Sequence, residues 1–224
     1  MPETHPPYFY PPYMSTVLRA PKRKLVRVPP SPLDAAGPVF PKRFVKDSEA
    51  DLTQWGKGAP LGEKMILVGR VLDDAGRPVR SALVELWQCN AAGRYAHPVD
   101  QHDAPLDPNF LGRGQALTDE AGEFRFVTIK HGAYPWRNHA FGWRPAHIHF
   151  SLFGSSNAQR LITQMFFPGD PLLPIDPIYN SSPDPAARSR MVASLALESG
   201  IEQVALGYRF EIVLGGRRAT PMVH

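Results

Sequence analysis

From about Met65 onward, apolar residues fall into short runs separated by turn residues. MILVGRVL (65–72), SALVELWQC (81–89), EFRFVTI (123–129), AHIHFSLFG (146–154), RLITQMFF (160–167) and GYRFEIVLGG (207–216) each read as a strand bounded by Gly, Pro or Ser. In EFRFVTI, Phe124 and Phe126 share one face at a period of two. DDAGRP, between the first two runs, is a turn. One helix is predicted over 184–197: Asp184 can cap it, Pro185 suits its first position, and AARSRMVASLAL follows. Strands with turn punctuation and a single late helix predict an all-β fold, a β-sandwich of two mostly antiparallel sheets with long loops.

Upstream the texture differs. Residues 1–60 hold nearly half of the 25 prolines and show no sustained periodicity, so they are read as an extended Pro-rich N-terminal arm. Tyr8, Phe9, Tyr10 and Tyr13 are too apolar for a free linker, which predicts that the arm packs on the body or on a partner chain. Residues 61–224 then form the domain that carries the chemistry.

Composition narrows the class. A hydrophobic content of 43% with 21% charged residues is that of an ordinary globular protein. The net charge of +4 is spread along the chain apart from PKRK at 21–24, so no nucleic-acid partner is expected. With Cys89 as the sole cysteine, an internal disulfide and a Cys-rich zinc site are both excluded. No secretion signal or membrane-length apolar run is visible, and a cytoplasmic location is the expectation.

The stretch YPWRNHAFGWRPAHIHF (134–150) carries the candidate chemistry. On a strand His147 and His149 project from one face, while Ile148 and Phe150 point into apolar packing. Two imidazoles side by side suit a metal, and equally a hydrogen-bonded pair at a sheet surface. Further ligands would have to come from Asp, Glu, Tyr or other histidines. Tyr134, on the loop entering the strand, can fold back over the pair. A phenol with an ordinary pKa of about 10 binds well only after losing its proton. That favours a strongly polarising ion such as Fe(III), whereas zinc or copper would suit a three-histidine set.

YPWRN and WRPAHIHF, together with LWQCNAAGRY and DPNFLGRGQALTD upstream, resemble the intradiol ring-cleaving dioxygenases, and within them the β-type chains that act on protocatechuate. The resemblance runs from about Tyr13 to Arg218, with several separated motifs in the same order. It implies one non-haem Fe(III) per chain, held by Tyr95, Tyr134, His147 and His149, with Tyr134 the ligand that substrate displaces. It also implies cleavage of 3,4-dihydroxybenzoate by O2 between its two hydroxyl-bearing carbons, giving 3-carboxy-cis,cis-muconate in the β-ketoadipate route of aromatic degradation. Arg144 and Gln164 are implied in catalysis, the first stabilising charge on the ring; a structural salt bridge is the plain alternative for Arg144. Trp87, Trp136 and Ile178 are implied as walls of the substrate slot, and Tyr13 and Arg19 as arm residues meeting the substrate carboxylate. The partner implied is a paralogous α chain in a hetero-oligomer.

Two departures from the family pattern bear on the pocket. Cys89 stands where a small residue is common, and NHAFG (138–142) places His139 and Phe141 in a loop that is usually more polar. They leave open another substituted catechol, sulfonated or hydroxylated, as substrate. A β-sandwich module binding zinc or copper is the reading from a different class. His97, His102, His131 and His139 match no family ligand.

Overall fold

The computed structural model describes residues 4–29, 31–35, 45–154 and 160–223, so residues 36–44 of the proline-rich stretch lie outside the described residues. Strands β1 (Lys64–Leu72), β4 (Glu123–Ile129), β9 (Ser194–Leu195) and β10 (Leu206–Val213) form one sheet in the order β4-β1-β10-β9. The β1/β10 pair is parallel and the others are antiparallel. The second sheet runs β3-β2-β7-β8, from β3 (Arg113–Leu117), β2 (Leu83–Trp87), β7 (His147–Phe153) and β8 (Arg160–Phe166), antiparallel throughout. A small ribbon, β5 (Tyr134–Pro135) with β6 (Trp143–Arg144), stands beside it.

The alternation expected of EFRFVTI and HIHFSLF is what joins the sheets. Phe124 and Phe126 from the first sheet and Ile148, Phe150 and Leu152 from the second all lie in one buried core. The rings of Phe124 and Phe210 stand 6.0 and 5.4 Å from that of Phe150, spanning the gap between the layers. This is the two-sheet sandwich predicted from the strand pattern.

The helices differ from expectation. The segment predicted as one helix over 184–197 is helical only in α4 (Pro185–Ser189), where the Asp184 side chain accepts from the Ala186 N–H at 3.0 Å. After a turn at 190–191, residues 192–196 are extended because tertiary pairing outweighs their helix propensity: Ala193 N–H donates to the Phe166 carbonyl, and β9 pairs with β10. Met191, Ala193 and Ala196 are thereby buried at the sheet margins. Three short helices were not foreseen: α1 (Ser15–Arg19), α2 (Pro32–Ala35) and α3 (Pro177–Ser181). The last begins with Asp176–Pro177, the same cap-and-proline signal as Asp184–Pro185.

The arm is held to the body near the site. The Thr16 hydroxyl donates to the Tyr10 carbonyl at 2.8 Å and receives the Tyr10 N–H at 2.9 Å, which curls the chain ahead of α1. Met14 N–H donates to the Asn138 carbonyl at 2.9 Å, docking the arm on the loop between β5 and β6. No helix among the described residues is long and apolar enough to cross a membrane.

Gly69, in the middle of β1, is flanked by Phe124 on β4 and Phe210 on β10. A methyl group there would overlap the Phe124 ring and the Phe210 carbonyl oxygen. Gly69→Ala is expected to cost about 1–3 kcal/mol through overpacking, read as a lower urea midpoint at unchanged slope.

Candidate metal centre

Strand β7 turns its even-numbered residues into the sandwich and its odd ones outward, so His147 and His149 share the outer face of the second sheet. Their Nε2 atoms lie 3.2 Å apart. The Tyr95 hydroxyl stands 3.2 Å from His149 Nε2, and the Tyr134 hydroxyl 3.4 Å from His147 Nε2. The four side chains expected to act together therefore do converge, from three separate parts of the chain.

Local structure explains how each arrives. Tyr134 is opposite Arg144 in the β5/β6 ribbon, which leads directly into β7. Tyr95 follows a turn in which Asn90 Oδ1 receives the N–H groups of Ala92 and Arg94, and the Asp100 carboxylate holds the Tyr95 N–H at 2.7 Å. Gly93 has φ of +78° and packs on the Ala133 carbonyl, where a Cβ would collide. That close approach sets the Tyr95 and Tyr134 rings edge to face, 5.4 Å apart.

Hydrogen bonding selects the tautomer of His147. Its Nδ1 lies 2.8 Å from the Pro145 carbonyl, which can only accept, so Nδ1 carries the proton. Arg144 Nη1, which can only donate, lies 3.0 Å from Nε2, so Nε2 is the unprotonated nitrogen and accepts from Arg144 with the one lone pair that a metal would take over. His149 is backed by Trp87, stacked at 4.9 Å with planes 7° apart. Burial, reinforced by the Arg144 charge, pushes the His147 pKa well down and that of His149 to about 3. Burial pushes both phenols up; Arg144 partly offsets this for Tyr134. The chain thus presents neutral imidazoles together with phenols that only a strong positive charge would ionise. Among the described residues no three His, Cys, Asp or Glu side chains gather as a metal site, so a set dependent on those groups alone is not present there. Two phenols and two imidazoles fit a hard, highly charged ion that stabilises phenolate.

Arg144 is buried at 1% exposure yet fully engaged. Its Nε donates to Asp176 Oδ2 at 2.8 Å, and its Nη2 to Gln164 Oε1 at 2.7 Å and Asp176 Oδ1 at 3.1 Å. Nη1 is left for His147 and, at 3.4 Å, the Tyr134 hydroxyl. The salt bridge that sequence offered as an alternative is therefore real, and it coexists with contact to the site. Burial works against the guanidinium charge, but Asp176 outweighs it and holds the pKa above its ordinary value. Gln164 faces the same side because it pairs with His149 across β7/β8.

The slot residues divide. Trp136 packs 5.1 Å from Tyr13 and lies under the Arg144 guanidinium at 5.0 Å; Ile178 shares a buried cluster with Tyr13 and Phe166. Arg19 sits over the Tyr13 ring at 4.6 Å. Tyr13, Arg19 and Ile178 also line a cavity of about 410 Å³ beneath the arm. Trp87 stacks on His149 and also borders a cleft of about 740 Å³ on the outer sheet face with Glu85, Arg113 and Ser151.

Among the other histidines, His97 is exposed, His102 packs edge-on against Trp143, and His139 is buried beside Trp136. His131 is buried with Nδ1 3.2 Å from Cys89 Sγ, its ring 6.1 Å from that of His147. Burial takes the Cys89 thiol up to about 12 and His131 down to about 4. Sequence reasoning missed this pair and, more importantly, Asp176, for which the Asp-Pro capping signal was the available clue.

These shifts predict how the metal-free protein responds to acid. An unfolded histidine titrates near 6.5, whereas His131, His147 and His149 bind a proton only at lower pH when folded. The unfolded chain then holds more protons, so stability present above pH 6.5 is lost as pH falls toward about 4 for His131 and about 3 for His149. Each ring contributes about 1.4 kcal/mol per pH unit across its window. Urea unfolding of metal-free protein is expected to show stability falling from pH 7 to pH 5, more shallowly in His149→Gln. A flat profile would mean that the rings ionise while folded.

Comparison with known proteins places the whole chain. A family profile described as dioxygenase matches residues 35–216, and one described as the N terminal of the protocatechuate 3,4-dioxygenase beta subunit matches residues 2–31. The protocatechuate 3,4-dioxygenase beta chain of Burkholderia cepacia is 54% identical over 221 residues, covering 98% of this chain and 94% of that one. The alpha chain of the Pseudomonas putida enzyme is 30% identical, covering 86% and 95%. The solved 3-chlorocatechol 1,2-dioxygenase of Rhodococcus opacus superposes with a TM-score of 0.57 at 23% identity, over 77% of this chain and 66% of that one, a likeness of fold. On the profile match and the near full-length relative, the chain belongs to the intradiol ring-cleavage dioxygenase family.

Proposed function

We propose that this chain is the metal-bearing chain of an enzyme that cleaves protocatechuate with O2 between its two hydroxyl-bearing carbons, yielding 3-carboxy-cis,cis-muconate for the β-ketoadipate route. The observation that carries the proposal is the convergence of Tyr95, Tyr134, His147 and His149 within 3.4 Å contacts. The 54% identity to a chain of that name supports the substrate. These four residues would hold one non-haem ferric ion. An ion held there would supply Lewis acidity toward the catecholic oxygens and make the ring susceptible to O2.

The chain's own residues do the rest. Tyr134, as phenolate, would receive a substrate hydroxyl proton; Arg144 Nη1, 3.4 Å from its oxygen, stabilises that phenolate before the transfer. The same guanidinium, buried and fixed by two partners, stabilises negative charge developing on the ring. Trp136 and Ile178 confine the flat ring, and Arg19 on the arm offers a cation to its carboxylate. The partner proposed is a paralogous α-type chain, for which the 30% identical alpha chain is the precedent. The arm supports this, since Phe9, Val17 and Leu18 stand exposed on its outer side.

The test is oxygen uptake by the purified complex on a catechol panel. Protocatechuate is expected to exceed plain catechol by at least about ten-fold in kcat/KM, because plain catechol carries no carboxylate for the arm to meet. Equal rates, or a preference for a hydroxylated or sulfonated ring, would overturn the substrate. Tyr134→Phe is expected to retain iron with an altered visible band and slower turnover, whereas His147→Ala is expected to lose metal. Zinc or copper on elemental analysis of the native protein would overturn the ferric assignment.

A further inference from the structure

The segment from Asp170 to Asn180 makes no contact in the cluster of phenols and imidazoles, yet it fastens the strand that carries it. Asp170 Oδ2 receives the Ala146 N–H at 3.2 Å, in the backbone between Arg144 and His147. Asp176 does more. Both of its oxygens accept from Arg144, and Oδ1 also receives the Tyr179 N–H at 2.7 Å, capping α3. Asp176 and Arg144 are 0% and 1% exposed, so neither charge is satisfied by water.

A buried pair of this kind is weak evidence for stability, since removing two charges from water offsets much of their attraction. Its geometric effect is stronger. A guanidinium is a planar fork, and a carboxylate gripping two of its nitrogens sets its plane and rotation. With Nε on Asp176 and Nη2 shared between Asp176 and Gln164, only Nη1 can point at His147 and Tyr134. The same carboxylate starts the helix that carries Ile178, buried against Tyr13 and Phe166. One side chain thus ties the cation of the site to a wall of its slot.

We infer that Asp176 is a positioning residue, which orients Arg144 toward the reacting ring and keeps that orientation in register with Ile178. The inference rests on the proposed function for its kinetic consequence, but its structural consequence can be read without turnover. Asp176→Asn removes the charge and keeps a good helix cap. In a crystal structure of that variant, Arg144 is expected to leave Gln164 or His147 while α3 is retained; an unmoved Arg144 overturns the inference. In the iron-loaded complex, Asp176→Asn is expected to lower kcat about ten-fold or more with little change in KM, the signature of an interaction made in the transition state. On an Arg144→Gln background the same change is expected to cost less than about two-fold, because both substitutions disable one unit. Equal losses on both backgrounds would assign Asp176 a merely structural part. Should the neutral variant not fold, Asp176→Glu keeps the charge and displaces the carboxylate by one methylene. It is expected to lower kcat with unchanged circular dichroism, and wild-type kcat would overturn the inference. Wild-type oxygen uptake with protocatechuate tests the proposed function separately.

Discussion

The structure depends on one constraint, the two-residue alternation of β7 at the centre of the second sheet. Ile148, Phe150 and Leu152 are pinned in the core against Phe124 and Phe210, so His147 and His149 have no choice but the outer face. A slip of one residue would bury the imidazoles among phenylalanines and expose the core, which makes the register very costly to change. Pairing then recruits the neighbours: β2 sets Trp87 beside His149, and β8 sets Gln164 on its other side. The sheet supplies the base, and the remaining elements are left only the task of covering it.

What closes over it is irregular chain, and its order comes from polar contacts. The Asn90 turn and Gly93 deliver Tyr95, the β5/β6 ribbon delivers Tyr134 and Arg144, and the arm docks through Asn138. The result gathers polar groups where water is scarce. Neutral imidazoles and phenols tolerate this cheaply, whereas the one permanent cation needs Asp176 beside it. Such a site is arranged to gain from a positive ion: the phenols resist ionisation in its absence, and a metal that ionises them would relieve the strain between burial and charge.

The sandwich was legible because its strands are strongly patterned: EFRFVTI is a strand at the residues expected, and HIHFSLF and RLITQMF lie within a residue of them. Short pieces were not. β5, β6 and β9 carry two residues each, too few for a period to show, β3 (RGQAL) has almost no apolar alternation, and 192–196 has helical composition but is drawn out by Phe166 and β10. Within the site, the histidine pair follows from alternation alone. Tyr95 and the arm residues were reached only through resemblance to a family, since 52 positions separate Tyr95 from His147 and no local pattern links them.

Sequence by itself determined which residues face inward, because strand period and side-chain hydrophobicity are local properties, and it determined that His147 and His149 would stand together. Only the tertiary structure decided that Trp87 would stack on His149, that Cys89 would meet His131, and that Asp176 would grip Arg144. Those contacts join residues far apart along the chain. They exist because packing brings complementary buried groups within reach of one another, and that choice is made in three dimensions.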